Sequence, residues 1–224
     1  MFLRIPNPES RIPNPRSKRI AHRVRSYRDV GAARIAQVRS RGRAWPARAK
    51  MRRFPPWRTD MQHLTIVTTG GTIDKVYFDD KSDYKIGAPQ IGEILGHLGV
   101  AFEFDVIPIL RKDSLHMGAE DRALVRSTIE AQPHRHVLVT HGTDTMVETA
   151  RELASIKGKV IVLTGALNPA RFQGSDAVFN IGCAVAAVQT LPDGVYIAMN
   201  GRVWDPAKVR KNRAENRFEE AKPS

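Results

Sequence analysis

The feature that most constrains this chain is a series of short aliphatic runs, HLTIVTT, FEFDVIPIL, HVLVT, KVIVLTG and GVYIAMN, separated by amphipathic or polar stretches. Each run is short, rich in β-branched residues and bounded by Gly, Pro or Asn, so each reads as a strand. Strands of this kind alternating with helices predict a three-layer α/β fold, a mostly parallel sheet with helices on both faces. Sheets of that type bind ligands in the crevice at the carboxyl ends of their strands. The residues just after each run are therefore the ones to read for chemistry.

Between the strands, APQIGEILGHLG predicts a short helix. A second helix is expected from about Ala119 to Ala131, with Leu124, Val125, Thr128 and Ile129 at helical spacing behind Glu120 and Asp121. A third follows HGTD, with Met146, Val147, Ala150, Leu153 and Ala154 as its apolar stripe. VFNIGCAVAAVQTL is apolar nearly all round, which predicts a helix covered on more than one side, by the domain or by a partner subunit. DKVYFDDKSDYKIG, after the first strand, reads as an acidic loop.

Charge divides the 224 residues in two. Residues 1–60 hold 17 Lys and Arg against 3 Asp and Glu, whereas residues 61–224 hold 19 against 20. The first segment has few periodic aliphatic residues and repeats RIPNP, so it is expected to be disordered. Three readings fit it: a nucleic-acid-binding arm, an Arg-rich transit peptide, or a start codon assigned too early. Met61, directly before the first strand, favours the last. Residues 61–224 are then the α/β domain, and nucleic acid is a partner only if the basic extension is real.

The single cysteine, Cys183, excludes a disulfide framework and a Cys-based metal cluster, and its apolar run makes it a small buried hydrophobe. The seven histidines lack metal-ligand spacing, so no metal is expected. There is no apolar stretch of roughly 18 residues and no signal-peptide core, so no membrane association is expected.

The strand ends carry TGGT (69–72), RKDSLHM (111–117), HGTDT (141–145) and GALNP (165–169). TTGGTID is neither a P-loop nor a dinucleotide loop, and the Asp residues that follow would repel phosphate. A threonine nucleophile fits better, because the crevice also collects a second threonine, an acid and backbone N–H groups of small residues. GxSxG is absent.

TGGTI, DSLHM, HGTDTMVETA, GALNPARFQGSDAVFN and YIAMNGRVWDPAKVRKN together resemble the signature stretches of the bacterial-type asparaginase/glutaminase family, the threonine amidohydrolases. The resemblance covers nearly all of residues 62–212. It implies a short form corresponding to that family's N-terminal domain, since the family's usual chain carries a second domain. By position, Thr72 matches the primary nucleophile, and Tyr84 the tyrosine of the mobile loop that closes over the site. Thr143, Asp144 and Lys211 match residues that act as a group. Ser114 matches the residue holding the substrate α-carboxylate, Asp144 faces its α-amino group, and Gly71, Gly142 and Ala166 match backbone positions around the substrate.

What the resemblance implies is an L-asparaginase acting on L-asparagine or L-glutamine through a threonine acyl-enzyme, without a cofactor, as a cytoplasmic homo-oligomer. The alternatives it leaves are an amidotransferase-type subunit acting with tRNA, and an inactive amino-acid-binding module. Read alone, Thr72 could be a turn residue, Thr143 and Asp144 helix caps, and Lys211 part of a solvated charge run.

Overall fold

The structure, a computed structural model, describes residues 61–78 and 83–221, so the expectations for residues 1–60 lie outside the described residues. Strand β1 is His63–Thr68, followed by a single 3-10 turn at Thr72–Asp74. A hairpin comes next, β2 (Lys75–Phe78) antiparallel to β3 (Asp83–Ile86), where the acidic stretch reads as a loop in sequence. Helix α1 (Ile91–Leu98) ends at Gly99 in the left-handed conformation that closes helices. Then follow β4 (Glu103–Pro108), α2 (Ala119–Ala131), β5 (His136–Thr140), α3 (Met146–Leu153), β6 (Val160–Thr164), α4 (Ala177–Thr190) and β7 (Gly194–Met199). Three short strands complete the described chain: β8 (Arg202–Trp204), β9 (Val209–Asn212) and β10 (Arg217–Glu220).

The main sheet runs β4-β1-β5-β6-β7-β8, parallel except for the antiparallel edge strand β8. Side chains alternate between its faces, and the two cores sort accordingly. Val67, Val139 and Leu163 pack with Val125 and Ile129 of α2 and Met146, Ala150 and Leu153 of α3. Leu64, Ile66, Leu138 and Val162 pack with Ile91 and Leu95 of α1 and Ile181, Ala184 and Val188 of α4. β5 and β6 are buried at every position, as continuous aliphatic runs require. The alternating FEFDVI forms the outer strand β4, where one face stays half open.

Strand order reverses at β1: the chain goes from β1 outward to β4, then crosses to β5 on the other side. The carboxyl ends of β1 and β5 therefore flank the switch point, where such sheets open a crevice.

Several expectations are corrected. Leu124 is 43% exposed, because only Val125 and Ile129 of α2 reach the sheet. Ala154 lies one residue past the end of α3 and is exposed. In helix α4, Cys183 is half-buried rather than buried, and within this one chain Val178 and Phe179 are exposed. The charged run that holds Lys211 is not a solvated surface throughout: β9 pairs with β10, and Val209 and Phe218 enter the α3 side of the core. Among the described residues, no helix is long and apolar enough to cross a membrane.

Candidate active site

The loops after β1 and β5 start side by side because the sheet ladder continues past the strand ends. Thr69 N donates to Thr140 O (3.1 Å), His141 N to Thr164 O (2.9 Å) and Lys112 N to Thr69 O (3.1 Å). Thr69 is fully buried and its Oγ1 is also spent on Thr140 O, at 3.1 Å. Thr72 is half-buried, so of the two threonines beside the glycines it is the one open to a ligand.

Gly70 and Gly71 have φ of 96° and 92°, a region that residues with a Cβ rarely adopt. Gly71 is also needed for contact: a Cβ there would lie 2.5 Å from Gly142 Cα and N. A Cβ on Gly142 would in turn lie 2.5 Å from Ser114 Oγ, and one on Gly165 would overlap the carbonyl of His141. Three glycines thus bring the ends of β1, β5 and β6 and the segment after β4 into backbone contact.

Ser114 opens a short 3-10 turn whose N-cap, Asp113, accepts from Leu115 N at 3.2 Å and pairs with Lys75 at 2.9 Å. Ser114 is 1% exposed, and its Oγ is buried without a hydrogen-bond partner. Thr145 precedes α3, and its hydroxyl donates to Ser114 O at 2.8 Å. Neither Thr143 nor Asp144 caps that helix, which corrects the capping reading. Thr143 is buried, and Asp144 is half-buried with Arg213 Nε 3.9 Å from its carboxylate.

Lys211 projects from β9, with Nζ 2.7 Å from Asn216 Oδ1 and above the Phe218 ring. Burial lowers its pKa, against the opposing pull of Asp144 and Asp176. Its ammonium is bonded to Asn216 rather than to Thr143 or Asp144, so the group of three implied by resemblance is neighbouring but unjoined. An open cavity of about 380 Å³ lies between α3 and β9, lined by Asp144, Glu148, Arg151, Lys211 and Arg213 among others. Ala166 is buried in the loop after β6, where the Asp176 carboxylate gathers the N–H groups of Leu167 and Asn168, each at 3.0 Å. Tyr84 lies in β3 opposite Tyr77, and its side chain falls outside the described part.

The matching family model is "Asparaginase, N-terminal", over residues 63–220. The chain belongs to the asparaginase family. This family member is 30% identical over 165 residues to the L-asparaginase of Bacillus licheniformis, covering 68% of this chain and 51% of that one. It is equally similar, at 30%, to a glutamyl-tRNA(Gln) amidotransferase subunit of Methanococcus vannielii, covering 70% of this chain and 40% of the other. The L-asparaginase I of Vibrio cholerae superposes with a TM-score of 0.63 at 26% identity, covering 73% of this chain and 52% of that one. This asparaginase-family chain spans about half the length or less of these relatives.

Sequence reading missed His141 as a component of the site. It is completely buried, with Nδ1 2.7 Å from Gly142 O and Nε2 2.9 Å from Thr149 Oγ1. A ring nitrogen facing a carbonyl must carry the proton, so Nδ1–H donates to Gly142 O and Nε2 accepts from Thr149. Burial pushes its pKa down to about 4, with Arg122 adding to the shift and the Gly142 bond opposing it. A neutral imidazole therefore pins the Gly142–Thr143 peptide at neutral pH. A polar residue ending an aliphatic strand was the available signal.

Proposed function

We propose that this chain hydrolyses the side-chain amide of L-asparagine to L-aspartate and ammonia through a threonine ester. The observation that supports the reading is the Gly71–Gly142–Ser114 contact, which brings the turn that carries Thr72 against the loop that carries Thr143 and Asp144 and against an unpartnered buried hydroxyl. Ser114 Oγ is free to donate to the substrate α-carboxylate, and Asp144 is an acceptor for its α-ammonium.

Thr72 Oγ attacks the amide carbon, its proton passes to a base, and backbone N–H groups of the glycine turn stabilise the oxyanion by about 3 kcal/mol per donor. The tetrahedral adduct collapses as the nitrogen takes a proton and leaves as ammonia. Water then adds to the ester, releasing aspartate and restoring the Thr72 hydroxyl. Thr143 with Lys211 serves the proton transfers, or Thr143 takes part as a second nucleophile. Lys211 must leave Asn216 and be neutral, a form that its burial favours. Tyr84 arrives from the hairpin that begins at the nucleophile turn. Gly71, Gly142 and Ala166 contribute backbone only.

The same reading makes the protein cytoplasmic and a homo-oligomer, in which a second copy would cover Val178 and Phe179. The equal similarity to an amidotransferase component supports a second reading, an amidase acting in a tRNA-linked transfer, with residues 1–60 as the RNA-binding arm. Ammonia release from asparagine and glutamine, measured for the full chain and for Thr72→Ala and Thr143→Ala, is the deciding experiment. Loss of turnover in both variants supports the first reading, and wild-type turnover in both sinks it. Salt-sensitive RNA binding lost on deleting residues 1–60 supports the second. Aspartate binding by calorimetry without ammonia release identifies an inactive binding module.

A further inference from the structure

Two residues after Thr72, a carboxylate is buried where the site as described has no use for it. Asp74 is 1% exposed and ends the 3-10 turn that carries Thr72. Its Oδ1 accepts from the N–H of Gln90, the residue that opens α1, at 2.9 Å. Its backbone carbonyl accepts from Gly87 N, just after β3, at 2.8 Å. The Gln90 side chain is itself held, by Arg171 Nε at 2.9 Å and by donation to Ala88 O at 2.8 Å. The neighbouring carbonyl of Ile73 accepts from Ala170 N at 3.0 Å.

We propose that Asp74 is the positioning residue of this site: one buried carboxylate fastens the Thr72 turn to the start of α1, and the same residue's carbonyl closes the base of the β2–β3 hairpin that bears Tyr84. The nucleophile and the hairpin are then set by a single residue rather than independently. The inference rests on the functional reading above for what Thr72 and Tyr84 do, but not for how they are held.

A buried acid fits this task because a carboxylate is a stronger acceptor than a neutral group and suits a helix N-terminus. Burial opposes its ionisation and raises its pKa to about 6, while the Gln90 N–H and the Arg111 charge pull the other way. Arg171 reaches it through Gln90. The nearby Lys75 is paired with Asp113 and Lys112 with Asp121. At neutral pH the carboxylate is ionised and the turn is fastened. Below about pH 6 it is protonated, and the Gln90 amide then faces a weaker, neutral acceptor, even though the fold as a whole gains because burial no longer opposes a charge.

The test compares the full-length wild type with Asp74→Asn and Asp74→Ala. Asp74→Asn keeps an acceptor of the same shape but does not titrate. The wild-type kcat/KM for asparagine should fall on acidification with an apparent pKa of about 6. Asp74→Asn should lose that limb while working near the wild-type level at pH 8. Asp74→Ala should lose about 100-fold in kcat with KM little changed. Amide hydrogen exchange gives an answer independent of turnover. At pH 8 the N–H groups of Asp74, Gly87 and Gln90 should lose protection in Asp74→Ala and keep it in Asp74→Asn. Unchanged protection in Asp74→Ala, or a limb of apparent pKa about 6 persisting unchanged in Asp74→Asn, overturns the proposal; the separate limb that Lys211 contributes is common to both proteins. A wild type that releases no ammonia overturns the functional reading instead, and exchange still decides whether Asp74 holds the turn.

Discussion

Gly71 and Gly142 lie backbone against backbone, with no room between them for a Cβ: placed on Gly71, it would sit 2.5 Å from two main-chain atoms of Gly142. Gly71→Ala meets this overlap together with a φ of 92°. The strained conformation costs about 1–3 kcal/mol, and the clash can be relieved only by parting the two loops. Urea unfolding should report the lost stability. Ammonia release should report about a 100-fold loss of kcat/KM from the displaced hydroxyl.

Ser114 is a case in which stability and activity should part company. Its Oγ is buried without a partner, so Ser114→Ala removes a desolvated polar atom rather than a bond. The variant should be as stable as the wild type or more so, by about 1 kcal/mol. If the hydroxyl binds the substrate α-carboxylate, KM should rise by about 10- to 100-fold, the value of one hydrogen bond to a charged group. A thermal melt and a Michaelis curve on the same sample separate the two effects.

Acidic pH should act on the two buried groups in opposite directions. His141 has a folded pKa near 4, below the usual 6.5, so its neutral form stabilises the fold above about pH 6.5, and this contribution is lost as pH falls toward 4. Asp74 has a folded pKa near 6, above its usual 3.8, so its contribution is present below about pH 4 and lost as pH rises through 6. Each spans about 3 kcal/mol, so between pH 4 and 6 the two largely cancel. Urea titrations at several pH values should show it: against wild type, Asp74→Asn grows more stable as pH rises, and His141→Gln less so.

Asn180, fully buried in α4, donates to Gly165 O and to Asp176 and accepts from Asn200 N, a residue with φ of 53°. Asn180→Ala strands the Gly165 carbonyl and the Asn200 amide, a loss of about 3 kcal/mol. A lowered Tm together with weakened substrate binding through the Ala166 loop is the expected result. An unchanged Tm would show that water replaces both bonds.

Much of this site could be read in one dimension. TTGGTID, DSLHM, HGTDT and GALNP each follow or end a strand, and parallel sheets gather strand ends, so Thr72, Ser114, Thr143 and Asp144 could be grouped by local pattern, while Ala166 was singled out by resemblance. The β2–β3 and β9–β10 hairpins were not, because charged strands at a periphery carry no alternating apolar pattern. Lys211 was placed by resemblance only, and its bond to Asn216 comes from the turn between β9 and β10.

The aliphatic runs and glycine-bearing strand ends were enough to dictate a parallel sheet with a crevice along one edge, since burial of short β-branched segments depends on neighbours in the sequence. Which groups face each other across that crevice was settled in three dimensions. Gly71 against Gly142, His141 on the Gly142 carbonyl and Asp74 beneath the start of α1 are contacts set by how separate loops and elements pack together. Their strength, and the pKa values of His141 and Asp74, arise from exclusion of water, which no local stretch of sequence specifies.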